Sequence, residues 1–252
     1  MLALFAVLLG VTLLAHTAPF PFLLEPFRPA RSLWQMQHRP GAPPTIYLTF
    51  DDGPNPEWTP QVLDALRETR ARGTFFLIDE HINAETAPIV RRIAAEGHAI
   101  GLHTGDRWMV MMEPEEIAGK LHHAYGRIAA ITGTEPCRLF RPHAGWRSAT
   151  MYEGLETANF RLAGWSWGMW DWNWWQQPRG DRIAARLARK ASDGDVVVIH
   201  DGHHENPRAD RRHAAETVRR LVPQLGKRGF AFGALCEPSA KPAPAPVPTQ
   251  SF

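Results

Sequence analysis

Strand-like and helix-like runs take turns along most of this chain, and that order is what most limits its fold. Apolar runs with strand character at residues 46–50, 73–78, 98–102, 139–141, 161–166, 195–199 and 230–233 are separated by stretches of helical spacing near 60–66, 87–96, 114–132, 149–158, 181–191 and 208–226. Strands joined through helices run parallel, because each helix returns the chain to the starting edge of the sheet. Seven or eight short strands predict an α/β fold, a distorted (β/α) barrel of about seven parallel strands rather than an open sheet. In such folds ligands are handled at the C-terminal ends of the strands, so the residues just after each strand carry the functional reading.

The chain has 252 residues, of which 44% are hydrophobic and 21% charged, enough for one sizeable core. A single domain over residues 44–237 is the simplest division. With 28 basic and 26 acidic residues, a net charge of +2 and no long basic run, the chain has no nucleic-acid footprint and fits a neutral or weakly charged substrate. Its two cysteines, Cys137 and Cys236, are not in a metal-type spacing; a disulfide and two separate buried thiols both stay open. Residues 1–14 are nearly all apolar and lead into Ala15-His16-Thr17-Ala18, so residues 1–26 read as a signal peptide or an N-terminal membrane anchor. Export, to the periplasm or beyond or held at the membrane, is the expectation. Residues 27–43 read as a linker, and the Pro/Ala-rich residues 238–252 as a disordered tail.

The first strand stops at Asp51-Asp52-Gly53-Pro54, two carboxylates followed by two turn residues. Side chains splay at such a turn, so one carboxylate can bind a metal ion while the other accepts a proton. The competing reading is a turn whose carboxylates only cap the following backbone.

Thr49-Phe50-Asp51-Asp52-Gly53-Pro54 matches the first motif of the NodB-type polysaccharide deacetylases, and the chain resembles that carbohydrate esterase family over roughly residues 44–236, with the remaining motifs in order. The resemblance implies the irregular (β/α) barrel of that family. It also implies that Asp51 is the catalytic base and that Asp52 holds a divalent metal ion, zinc by its ligand chemistry, together with two histidines of a His-[Ser/Thr]-x-x-His motif. Here that motif is His103-Thr104-Gly105-Asp106-Arg107: His103 matches and Arg107 replaces the second histidine. A guanidinium has no lone pair to offer a metal. Three outcomes stay open: a third ligand from Asp106, His203 or His204; a metal held by Asp52 and His103 alone; or Arg107 paired with Asp52 in a metal-free site.

Arg141-Pro142-His143-Ala144-Gly145-Trp146 resembles the third motif, which implies that Arg141 positions the catalytic Asp. The backbone N–H at Ala144 would help stabilise the oxyanion, and Trp146 or His143 would wall the groove. Six of the chain's 10 tryptophans fall within residues 165–175. There Asp171-Trp172 resembles the fourth motif, implying that Asp171 ties down Arg141 and Trp172 lines the pocket. The other indoles suit stacking on sugar rings, or packing against the N-terminal segment or a membrane. The strand at 195–199 ends in His200-Asp201-Gly202, resembling the fifth motif, in which Ile199 would contact the acetyl methyl and His200 act as general acid.

The resemblance thus implies a hydrolase that removes N-acetyl groups from amino sugars of a polysaccharide or oligosaccharide. Two other readings stand beside it: a saccharide-binding protein that lost its metal triad at Arg107, and an O-deacetylase or amide hydrolase on a non-sugar substrate. Retention of Asp51 and His200 favours an enzyme, since binding alone needs neither base nor acid. No Gly-rich phosphate loop is present, so no nucleotide cofactor is implied.

Overall fold

The computed structural model describes residues 3–7, 32–168, 171, 178–237 and 239–240. Its centre is a sheet built from β1 (Ser32–Leu33), β2 (Thr45–Gly53), β3 (Gly73–Ile78), β4 (Ala99–His103), β6 (Leu139–Arg141), β7 (Arg161–Ala163), β8 (Trp167–Gly168), β9 (Val196–His200) and β10 (Ala231–Phe232). The order is β1-β7-β6-β4-β3-β2-β9-β8, with β10 beside the start of β2, and every pairing in it is parallel. The two ends of this order meet. Strands β7 and β8 are consecutive in the chain, yet one lies beside β1 and the other beside β9, and Gln35 after β1 bridges to Asp195 before β9. The sheet therefore curls into the distorted barrel that the alternation predicts.

Helices α1 (Trp58–Thr69), α2 (Ala87–Ala95), α3 (Pro114–Thr132), α4 (Ala149–Thr157), α5 (Gly180–Lys190) and α6 (Arg212–Gly226) connect the strands on the outside. The longest, α3, starts with Pro114 and two glutamates in its first turn, where a missing N–H costs nothing and negative charge meets the helix dipole. It ends at Gly133 in a left-handed conformation, φ 71°.

Because side chains alternate along a strand, the sheet has two apolar layers. Leu48, Phe50, Phe75, Leu77, Phe140 and Ile199 pack outward against the helices, whereas Tyr47, Phe76, Leu139, Ala163, Trp165 and Val198 fill the barrel interior. Each fully buried Leu, Ile or Phe contributes about 1.5–3 kcal/mol relative to exposure, so both layers hold the strand ends in place.

Both segments flanking the barrel are more ordered than the sequence implies. Residues 32–36 are not linker: β1 adds an edge to the sheet, Ser32 is buried, and Met36 N–H donates to Gly194 O at 2.8 Å. At the other end β11 (Ser239–Ala240) pairs antiparallel with β5 (Thr134–Glu135), inside what reads as tail. Backbone pairing to an otherwise open edge needs no apolar periodicity, which is why neither strand is visible in the pattern. Cys137 and Cys236 form a disulfide at the inner end of the barrel, Cα–Cα 6.0 Å. Residues 3–7 are helical with Leu4, Phe5 and Val7 exposed, and no helix among the described residues is long and apolar enough to cross a membrane. The rest of the apolar N-terminal segment and residues 241–252 lie outside the described residues.

Candidate active site

A cavity of about 550 Å³ opens at the C-terminal ends of the strands, lined by Asp51, Asp52, His103, His143, Ala144, Trp146, Trp165, Val198, His200 and His204, with Arg107 and Glu205 among the other residues of its wall. Two adjacent residues of a regular strand point to opposite faces, so Asp51 and Asp52 could not both line it without a break. The break is a bulge: Asp51 pairs with Phe76 and Gly53 with Leu77, leaving Asp52 unpaired at φ 68°. Left-handed backbone is uncommon outside glycine, and Asp is one of the residue types that tolerates it. The loop after β9 closes on this bulge, where a Cβ on Gly202 would stand only 2.0 Å from the Asp52 carbonyl oxygen. Only glycine fits there.

Asp51 is held by Arg141, a fully buried guanidinium. Its Nη1 donates to Asp51 Oδ1 (2.6 Å) and Thr49 Oγ1 (2.7 Å), its Nη2 to Gly164 O (2.7 Å), and the group lies over the Phe76 ring at 4.0 Å. Burying the pair is tolerable because each partner satisfies the other and the remaining donors find backbone carbonyls.

The resemblance ties Asp171 to Arg141, but in the structure Asp171 serves a different group. Its Oδ1 faces His200 Nδ1 at 3.0 Å, and its Oδ2 accepts from the His200 backbone N–H (2.5 Å) and lies 3.2 Å from His213 Nε2. Arg141 commits four of its five N–H donors to Asp51, Thr49 and the carbonyls of Ala163 and Gly164. Burial pushes the His200 imidazole down, yet the Asp171 carboxylate, with smaller contributions from Asp52 and Asp51, carries its pKa up to about 9. Asp171 is held well below the usual carboxylate range: burial opposes this, and the His200 and His213 rings overcome it. His200 therefore carries its proton at neutral pH, with Nδ1 toward Asp171 and Nε2 left for the cavity.

His103 and Asp52 form the third pair, His103 Nε2 to Asp52 Oδ1 3.0 Å, with His103 Nδ1 donating to Arg141 O at 2.6 Å. A carbonyl only accepts, so the Nδ1 proton is fixed and Nε2 is turned to the carboxylate, as in histidines that ligate metals. The pair thus fits two ligand positions of a divalent cation. Among the described residues no group of three His, Cys, Asp or Glu converges in metal-binding geometry.

The structure decides one of the three alternatives at position 107 and narrows another. Arg107 does not pair with Asp52; it makes an exposed ion pair with Glu205 at 3.0 Å on the rim. Asp106 caps the turn at Arg107–Met111 by accepting from Trp108 N–H at 2.8 Å, and it lines a neighbouring cavity instead. His203 spends its Nδ1 on the N–H groups of Glu205 and Asn206. Only His204 faces the same cavity as Asp52 and His103; its ring lies 4.6 Å from that of His143 and it rests on Gly105. Burial pushes His143 down to about 4 and lowers His204 as well, keeping both rings neutral.

Ala144 sits in the cavity wall at φ 50°, in a tight turn whose Gly145 N–H donates to Pro142 O at 3.1 Å. Trp146 lines the wall beside it. Ile199 does not: it is fully buried in the outer layer, and its neighbour Val198 faces the cavity, a consequence of the two-residue period of β9. Trp172 lies outside the described residues. Thr49, Val198 and His213 were not legible as site residues. Strand alternation read back from His200 identifies Val198, whereas nothing local marks His213, which comes from a helix thirteen residues on.

The comparisons agree with this geometry. The profile of the polysaccharide deacetylase family matches residues 38–163. The chain is 31% identical over 194 residues to a peptidoglycan-N-acetylglucosamine deacetylase of Bacillus cereus, covering 76% of this chain and 86% of that one. It is 34% identical to a chitooligosaccharide deacetylase of a Bradyrhizobium species, covering 74% and 86%. Among solved structures it superposes with TM-score 0.67 on a family 4 acetyl xylan esterase from Clostridium thermocellum in complex with a cobalt ion, 28% identical over 76% of this chain and 88% of that one. The bulged Asp51-Asp52 pair, the Arg141 and Asp171 partners and these matches have one meaning: the chain belongs to the polysaccharide deacetylase family.

Proposed function

We propose that this protein hydrolyses N-acetyl groups of amino sugars in a polysaccharide or oligosaccharide. The observation that carries the reading is the division of labour in one cavity: a carboxylate paired with the Arg141 guanidinium and an imidazolium held protonated by Asp171. Amide hydrolysis needs both, a base for the attacking water and an acid for the departing amine.

Asp51 accepts the proton of the attacking water through the oxygen that Arg141 leaves free. Ala144 lines the cavity wall, and its backbone N–H would meet negative charge developing on the carbonyl oxygen. His200 gives its Nε2 proton to the amine nitrogen as the C–N bond breaks, and Asp171 offsets the charge change at the ring. Val198 and Trp165 supply apolar wall on which an acetyl methyl can rest. Asp52 and His103 would hold a divalent cation, zinc by the chemistry of the two donors. Such a cation polarises the carbonyl and favours ionisation of water.

The N-acetyl reading is tested by offering purified protein N-acetylglucosamine oligomers, peptidoglycan fragments and acetylated xylan, and measuring acetate release with and without chelator. Preference for the amide substrates supports the reading. Release from xylan alone makes the protein an O-deacetylase, and no release from any substrate leaves the saccharide-binding alternative. Export is proposed on the apolar residues 1–14 and on the disulfide, which persists in oxidising compartments. Recovery of the protein with an intact N-terminus from a cytosolic fraction would count against it.

A further inference from the structure

Asp171 carries two histidines, and the chemistry above uses only one. His213, in the first turn of α6, is 1% exposed and does not line the cavity; its Nε2 lies 3.2 Å from Asp171 Oδ2, and its Nδ1 is buried with no hydrogen-bond partner among the described residues. A carboxylate only accepts, so the ring proton sits on Nε2. The geometry therefore makes His213 a donor to Asp171 through Nε2. One turn on in the same helix, Thr217 Oγ1 donates to His213 O at 2.8 Å and stands 3.5 Å from Gly180 O at the start of α5.

We infer that His213 is a positioning residue for His200, acting through Asp171. The carboxylate accepts three hydrogen bonds, from the backbone N–H and Nδ1 of His200 and from Nε2 of His213, and two of these share Oδ2. Both bonds from His200 come from one residue and leave the carboxylate free to turn about the line joining them. His213 approaches from a different element and fixes the remaining direction, so that Oδ1 stays in line with His200 Nδ1. The inference rests on the reading of His200 as the acid.

The test uses the full chain and three forms: wild type, His213→Gln and His213→Met. The glutamine amide can donate to Oδ2 from a similar position; methionine fills the space and donates nothing. In wild type, nitrogen NMR of His213 should show the proton on Nε2, a measurement that depends on no variant. The Nδ1 proton of His200 should give a downfield resonance in wild type and His213→Gln and lose it to solvent exchange in His213→Met. For acetate release, kcat of His213→Met should fall about tenfold, the worth of one hydrogen bond to a charged group, with KM nearly unchanged and the Gln variant restored. A His213 ring with no proton on Nε2 overturns the inference, and so does a folded Met variant that keeps both the His200 resonance and kcat. If the resonances behave as stated while no form releases acetate, the positioning role stands and the assigned activity fails.

Discussion

Asp51 and His200 are register partners on neighbouring strands β2 and β9, and each is locked to a different buried counter-charge, Asp51 to Arg141 and His200 to Asp171. Partners in a parallel pair point to the same face, so base and acid enter the cavity side by side. Each thus has its own counter-charge, and the Asp171 carboxylate keeps His200 protonated at neutral pH.

The state of His200 sets an alkaline limit. Its pKa is raised from 6.5 to about 9 in the folded protein. Its contribution to stability is therefore fully present below about 6.5 and is lost as pH rises through about 9. Activity should follow, because the deprotonated ring has no proton to give. Asp171→Asn removes the carboxylate and leaves burial to act, so the alkaline limb of kcat should move to lower pH. A limb unmoved by this substitution would show that another group sets it.

Arg141 and Asp51 form a buried pair in which neither partner is dispensable alone. Arg141→Met should cost about 3–5 kcal/mol by leaving Asp51 as an uncompensated buried charge, measured by denaturant unfolding. Adding Asp51→Asn should recover part of that loss. A double variant no more stable than Arg141→Met would place the damage in packing against Phe76 instead.

On β9, Val198 and Ile199 should respond differently. Val198→Phe narrows the cavity and should lower kcat/KM, at an overpacking cost of about 1–3 kcal/mol in stability. Ile199→Val should cost about 0.5–1.5 kcal/mol of stability and leave kinetics unchanged. The reverse pattern would return Ile199 to the cavity wall.

At the rim, Arg107→Ala breaks an exposed pair with Glu205 and should change stability by less than about 1 kcal/mol. Arg107→His adds a neutral donor on the loop after His103 and removes a positive charge, so zinc affinity measured by calorimetry should rise. Unchanged affinity in that variant, with loss of affinity in His204→Ala, would assign the third ligand to His204.

The barrel and its seven principal strands are legible because apolar runs and helical spacing alternate through the chain, and the carboxylates and His200 are legible because each follows a strand. What escapes is set by contacts between distant segments. The edge strand at Ser32–Leu33 has too few residues for a period. The Arg107–Glu205 pair joins loops 98 residues apart. The partners of Asp171 depend on which buried donors stand near it: Arg141 turns four of its five N–H donors to Thr49, Asp51 and two carbonyls, and Asp171 meets His200 and His213 instead. Ile199 is misassigned for a simpler reason: strand parity places Val198 on the face of His200.

The central claim is that Asp51 acts as base in removing an acetyl group from an amino sugar. It is tested most directly by mass spectrometry of N-acetylglucosamine oligomers incubated with wild type and Asp51→Asn, at equal folded protein and equal bound metal. The amide is nearly isosteric with the carboxylate but cannot take a proton. The account predicts products one acetyl group lighter with wild type and none above background with Asp51→Asn, while both proteins bind the oligomer. Deacetylation by Asp51→Asn within a few-fold of the wild-type rate would contradict it.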